Sequence, residues 1–312
     1  MASKIHTINQ RPNRLPFLLQ ETKIQPVSHP VLDEAGVSLS IKRDDQIHPI
    51  ISGNKWRKLK YTLDHALSMG FKHLISMGGP WSNHLHALAF MGHQIGIRTT
   101  GIVRGEVKEP ENPCLAEMRQ WGMEIIFVNR IEFRQLRQFH HYKSKPGEQY
   151  HGYWIPEGGA TRFAMAGIRE LVAEINVPFD TLAVACGTGT TLAGVASALP
   201  AHTEALGIAV LKDAGFLNRD VEALLGEWNT RNWSINLDYH FGGFGKADDD
   251  LLKFIDEFEK QTDTPLDPIY TGKLFYSLLD MVRKKQFTAG HRIIAIHTGG
   301  LQGRRGFHFK TE

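Results

Sequence analysis

Cysteine is nearly absent from this chain. Its 312 residues hold two, Cys114 and Cys186, far apart in sequence. That excludes a disulfide framework and any paired-cysteine zinc spacing, and it makes a reducing cytoplasm the expected setting. Long apolar runs are missing as well, and nothing approaches the roughly 20 residues of a membrane helix. The opening Met1-Ala2-Ser3-Lys4-Ile5-His6 is not followed by the apolar stretch of a secretory signal. Neither charge is in large excess: a formal net charge of +3 is too small to indicate nucleic acid or a membrane as partner. Charge runs are short. Lys42-Arg43-Asp44-Asp45 mixes signs, and Asp248-Asp249-Asp250 reads as the solvated start of a helix. His140, His141 and His151 lack metal-ligand spacing, so no metal is expected. What remains, 42% hydrophobic and 22% charged residues, is an ordinary globular composition, long enough for two domains or one large one.

Strands and helices alternate along most of the chain. Residues 1–30 read as an extended lead-in ending in Ile24-Gln25-Pro26-Val27. Residues 37–43 alternate apolar and polar, as a strand does. Further strands are expected at 73–77, 99–103, 124–128, 154–156, 180–185, 205–210 and 292–297, with helices at 54–69, from 82, and at 114–121, 163–175, 246–261 and 271–284. The basic, histidine-rich stretch 130–150 has no clean period and reads as a solvated helix and loop at the edge of the first sheet. This alternation predicts parallel sheet with helices on both faces, a three-layer αβα architecture.

Four stretches carry the chemistry. The first is Ser52-Gly53-Asn54-Lys55-Trp56-Arg57-Lys58-Leu59, where a loop runs into a helix with Leu59, Leu63 and Leu67 on one stripe. Lys55 thus stands near a helix N-terminus, where the dipole disfavours a cation. A buried lysine there loses its proton more easily and becomes a nucleophile able to form Schiff bases. Taken alone, Lys55 is one more cation in a basic surface run with Arg57, Lys58 and Lys60.

The second stretch is more specific. A buried strand runs into Cys186-Gly187-Thr188-Gly189-Thr190-Thr191 and then a small-residue helix. Glycines let backbone N–H groups converge, the helix start adds partial positive charge, and hydroxyls donate further hydrogen bonds; together they suit a phosphate. No lysine follows the glycines and Leu192 replaces a third glycine, so neither the nucleotide P-loop nor the dinucleotide fingerprint is present. The alternative is a tight turn with capping threonines. In the third stretch, Gly78-Gly79-Pro80-Trp81-Ser82-Asn83, Ser82 is either an N-cap or a hydroxyl offered to a ligand at the carboxyl end of a strand. In the fourth, Asp267-Pro268-Ile269-Tyr270-Thr271-Gly272-Lys273, Tyr270 and Thr271 sit at a loop-to-helix junction.

In that order, over about residues 26–300, these motifs resemble the pyridoxal-phosphate (PLP) dependent family of 1-aminocyclopropane-1-carboxylate deaminases and D-cysteine desulfhydrases, of the tryptophan synthase β-like fold, fold type II. The resemblance implies that Lys55 is the Schiff-base lysine and Asn83 hydrogen-bonds the cofactor's ring hydroxyl. Gly187, Thr188, Gly189, Thr190 and Thr191 would hold the phosphate. Ser82 and Tyr270 would be catalytic groups near the substrate, and Thr271 would face the pyridine nitrogen. It also implies a small domain over residues 60–165, a large cofactor-binding domain made of 1–59 plus 166–312, a homodimer, and a small amino acid as substrate. Three departures bear on substrate: Thr271 stands where the deaminases place a glutamate, Phe244 where a tyrosine is usual, and Trp81 beside the substrate position. The run Leu301-Gln302-Gly303-Arg304-Arg305-Gly306 also lacks the usual Pro-Ala-Leu. Elimination from a small D-amino acid is therefore expected ahead of cyclopropane ring opening. The competing readings are a PLP-binding protein with little catalysis, or a sugar-phosphate or nucleotide binder using the same cradle.

Overall fold

The computed structural model describes residues 17, 19–108, 111–228 and 232–307; most of the expected lead-in before Phe17 lies outside the described residues. Two sheets organise the chain. The smaller has four parallel strands in the order β5-β4-β3-β6, where β3 is His73–Gly78, β4 Arg98–Arg104, β5 Met123–Val128 and β6 Tyr153–Ile155. The larger runs β1-β2-β10-β7-β8-β9, with β1 Ile24–Val27, β2 Ser38–Lys42, β7 Thr181–Cys186, β8 Glu204–Ala209, β9 Trp233–Asn236 and β10 Arg292–Ile296. It is parallel except for β1, which pairs antiparallel with β2 at the edge.

Helices cover both faces of the larger sheet, and the strands show why. Along β7, Ala183 and Ala185 point into one core while Leu182, Val184 and Cys186 point into the other, the two-residue period of a strand buried on both sides. The first core is closed by α1 (Pro30–Ala35), α10 (Asp249–Thr262) and α11 (Thr271–Arg283); the second by α7 (Arg162–Ala173), α8 (Thr190–Ala196) and α9 (Phe216–Leu225). The smaller sheet packs α2 (Asn54–Ser68), α3 (Asn83–Ile95) and α4 (Pro113–Gln120) on one face and α5 (Arg130–Leu136) on the other, with α6 (Lys145–Gln149) preceding β6. This is the expected αβα layering. Among the described residues no helix is long and apolar enough to cross a membrane.

Helix α2 belongs to both halves. Its Leu59, Leu63 and Ala66 pack in the core of the smaller sheet, while its backbone rests on α7 of the larger. A Cβ at Gly167 would collide with the Arg57 carbonyl oxygen, so only glycine allows the two helices to touch there. Residue 60 falls inside this helix. Its N-terminus is fixed by ionic contacts that the sequence pattern did not reveal. Arg57 is buried and donates to both carboxylate oxygens of the fully buried Asp44 at 3.1 Å. It also bonds Glu174, as does the buried Lys42. Arg57 and Lys58 are therefore not members of a surface run, and Lys60 is paired with Glu170. The pattern also missed α1, α9 and β9. α9 carries its core stripe on only Leu217, Val221 and Leu225, and β9 is a half-buried edge of four residues, too short for alternation to register.

Candidate active site

The site forms where the carboxyl ends of β2, β3, β6, β7 and β10 converge, as open α/β sheets place their ligand sites. Lys55 lies in the first turn of α2. Its Nζ donates to Asn54 Oδ1 at 2.9 Å, and Asn54 Nδ2 donates to Thr191 Oγ1 at 3.0 Å. The lysine is thus tied, through one amide, to the glycine-threonine cradle 137 positions from Asn54. Burial pushes the Lys55 ammonium down to about 8, against a partial opposing pull from Asp267. Gly53, which precedes the helix, has φ +58°, and a Cβ there would collide with the Thr298 carbonyl oxygen. The turn that precedes Lys55 and the His297-Thr298-Gly299-Gly300 run are in backbone contact for that reason.

The cradle is compact. Gly189 takes the left-handed conformation at φ +70° to begin α8, and the hydroxyls of Thr188 and Thr190 bond each other at 3.0 Å. Gly187 abuts Tyr270, whose ring a Cβ would meet at 3.2 Å. Lys58 completes this corner. It is buried, donates to the Gly158 carbonyl oxygen at 3.2 Å, and pairs with no carboxylate among the described residues. Gly158 in turn abuts the Thr188 side chain. Burial, reinforced by Lys55, lowers the Lys58 pKa far below its usual value. A buried ammonium without a counter-charge is costly. An anion held against the cradle would supply that counter-charge.

Asn83 begins α3, directly after Ser82, whose hydroxyl caps the helix by accepting from the Leu85 backbone at 3.2 Å. Asn83 lies against Gly300 and accepts from Gln302 Nε2 at 2.7 Å. Its neighbour His84 is buried, bonds Ser76 Oγ at 2.8 Å, and leaves Nδ1 without a partner among the described residues. Burial, then Lys55 and Lys58, hold this imidazole neutral.

The last strip is organised by Asp267. Its carboxylate accepts from the backbone N–H groups of Ile269, Tyr270 and Thr271 at 2.8 to 3.0 Å, and from the Thr271 hydroxyl at 3.1 Å. The same hydroxyl accepts from Asp267 N at 2.8 Å. To donate to a ring nitrogen, Thr271 would have to release Asp267. Lys273 donates to the carbonyls of His240 at 2.8 Å and Gly243 at 2.9 Å. It thereby holds the loop that sets Phe244 edge-on to Tyr270, ring centroids 6.0 Å apart. Trp81 packs against Gly306 of the C-terminal turn.

A half-buried lysine with a lowered pKa, a glycine-threonine turn beside a second, buried lysine, and an asparagine at a helix start are the parts a phosphorylated aldehyde cofactor needs. Residues 18–299 match the family described as pyridoxal-phosphate dependent enzyme. The chain belongs to that family. Within it, the enzyme is 31% identical to the "Putative 1-aminocyclopropane-1-carboxylate deaminase" of Pyrococcus horikoshii, over 99% of this chain and 98% of that protein. It is 26% identical to the D-cysteine desulfhydrase of Yersinia enterocolitica, over 97% and 98% of the two chains. A crystal structure of an ACC (1-aminocyclopropane-1-carboxylate) deaminase homologue superposes with a TM-score of 0.77 at 30% identity, covering 93% of this chain and 91% of that one. The enzyme is therefore PLP-dependent and of the deaminase and desulfhydrase family, with the fold type II architecture the motifs implied.

Sequence reasoning missed Lys58, Asp267 and Gln302. The signal for Asp267 was present, an Asx-type turn written Asp-Pro-Ile-Tyr-Thr, but no local pattern shows that Lys58 is buried. Lys58→Met should separate two effects of opposite sign. The cofactor-free enzyme should melt higher, because a buried polar amine held by a single carbonyl is gone. PLP should bind about tenfold or more weakly, about 1.4 kcal/mol, because a phosphate partner is gone. Calorimetry and fluorescence titration of the cofactor-free protein read both; unchanged affinity would separate Lys58 from the phosphate.

Proposed function

We propose that the enzyme eliminates the β-substituent from a small D-amino acid, D-cysteine or a β-substituted D-alanine, yielding a 2-oxo acid and ammonia. The observation that carries this reading is the pair Phe244 and Thr271. Phe244 brings no hydroxyl beside Tyr270, and Thr271 is bound to Asp267 where a free carboxylate would be needed. Both changes remove groups that opening a cyclopropane ring is expected to use, whereas β-elimination needs a base for the α-proton and a route out for the leaving group.

In this reading Lys55 binds the cofactor, then takes the α-proton; a group lowered to about 8 is suited to both holding and releasing a proton near neutrality. PLP supplies the electron sink. Gly187, Thr188, Gly189, Thr190 and Thr191, with Lys58, would hold its phosphate, and Asn83 would hydrogen-bond its ring hydroxyl. Ser82 and Tyr270 position the substrate, and burial keeps the Tyr270 phenol protonated. For D-cysteine, the Cα–H and Cβ–S bonds break, sulfide leaves, and water converts the remaining enamine to pyruvate and ammonia. The reading includes a division into domains of residues 60–165 and of 1–59 plus 166–312, and a homodimer in the cytoplasm. The two sheets with separate cores support the former, and the two buried free thiols suit a reducing compartment.

The test is pyruvate release from D-cysteine, L-cysteine and 1-aminocyclopropane-1-carboxylate at matched concentration. D-cysteine should be turned over at least about tenfold faster than the cyclopropane substrate, roughly 1.4 kcal/mol of discrimination. Faster ring opening would reverse the ranking, and silence with all three would point to another amino acid.

A further inference from the structure

The C-terminal turn, residues 301–306, lies over the start of α3 and α4. Arg305 grips both oxygens of Glu117 on α4 at 2.6 and 2.7 Å, Arg304 bonds Glu259 at 2.7 Å on the other side, and Gly306 lies on the Trp81 ring. Arg305 also supplies the cation for a cluster that would otherwise read as a metal site, His86, Cys114 and Glu117. The turn is thus held from three directions. From this turn Gln302 reaches the candidate active site, where its Nε2 donates to Asn83 Oδ1 at 2.7 Å.

That bond decides which end of the Asn83 amide faces the site. With Oδ1 engaged by Gln302, Nδ2 points the other way, to the side of Gly300. Gly300 is at φ +89°, and a Cβ there would collide with Nδ2. Nδ2 has no acceptor among the described residues, so the partner it can take is a hydrogen-bond acceptor. Rotated by 180°, Asn83 would present an acceptor instead, and an anionic oxygen would be repelled.

We propose that Gln302 is a positioning residue that locks the Asn83 amide with its N–H₂ toward the cofactor's ring oxygen. This rests on the reading that Asn83 faces that oxygen. Gln302 touches neither cofactor nor substrate in this scheme; it acts only by fixing which end of another side chain they meet.

Gln302→Glu tests it at constant size. A glutamate at this position accepts only, so Asn83 should turn its Nδ2 to the carboxylate and its Oδ1 to the cofactor. Gln302→Leu removes the partner without reversing it. Two readouts apply to the purified protein: PLP affinity, by fluorescence titration of the cofactor-free enzyme, and the pH midpoint of the bound cofactor's visible band. Asn83→Ala should weaken PLP about tenfold and shift the midpoint, in line with one lost hydrogen bond to a charged group. Gln302→Glu should shift both at least as far in the same direction, and Gln302→Leu less. Adding Gln302→Glu to Asn83→Ala should change little, because the two act through one amide. Arg305→Ala, which loosens the turn without touching Asn83, should lower the melting temperature and leave the band in place. If both Gln302 variants keep wild-type affinity and band while Asn83→Ala loses them, the positioning role is wrong and the Asn83 reading stands. If Arg305→Ala moves the band as Gln302→Glu does, the turn acts only as a scaffold and the positioning role is again wrong. If Asn83→Ala changes neither readout, the Asn83 reading fails and the role of Gln302 goes with it.

Discussion

Lys55→Ala should abolish both the visible band of bound cofactor and turnover, with activity down by about 10⁴-fold or more, the range of a lost general base before the lost covalent anchor is counted. The effect follows from position as well as chemistry. Burial lowers this amine to about 8, so an appreciable fraction is already neutral at physiological pH. Lys58 and Lys273 are buried, but Lys58 faces the Gly158 carbonyl and Lys273 is spent on the loop carbonyls of His240 and Gly243. Neither can substitute. Lys55→Arg should fail as completely, since a guanidinium does not give up its proton in this range. The sign of the pH dependence follows from the lowered value. In the cofactor-free enzyme, capture of PLP should accelerate about tenfold per pH unit below about 8 and level off above it, as the neutral amine becomes the majority form. Stopped-flow absorbance reads this directly. An alanine variant that keeps the band and the rate would remove Lys55 from the mechanism.

Asp267→Ala should be the most damaging substitution to the fold around the site. The carboxylate is 1% exposed and organises three backbone N–H groups and one hydroxyl within five residues. Alanine leaves those donors buried without an acceptor, and it removes a carboxylate that favours the charged forms of Lys55 and Lys273. A loss of about 3–5 kcal/mol is expected, typical of removing one partner from a buried charge network. Asp267→Asn keeps one acceptor oxygen and should cost about 1–2 kcal/mol. Because the turn delivers Tyr270 against Gly187, activity should fall with stability in the alanine variant. Calorimetry of both variants with a pyruvate assay checks this; an alanine variant melting with the wild type would show that the turn holds itself without the carboxylate.

The chain by itself determined the features that depend on near neighbours. The apolar run ending the strand expected at 180–185 and the helical stripe of Leu59 and Leu63 were legible, and they correspond to β7 and α2. So were the helix that Ser82 caps and the strand-to-glycine turn at 186–189. The ordered motifs also led to the family, since each is a short run whose chemistry is written in consecutive residues. Tertiary structure decided everything that depends on burial and on partners distant in sequence. Arg57 and Lys58 look alike in the sequence; folding gives one two carboxylates and leaves the other a lone carbonyl. Thr271 is a hydroxyl in either view, but only the fold commits its proton to Asp267. Gln302 and Asn83, 219 positions apart, meet only in the folded chain, where the turn after β10 reaches the start of the helix after β3. The physical reason is that propensity and periodicity act over a few residues, whereas desolvation and hydrogen-bond pairing are set by whatever the packed chain brings within about 4 Å.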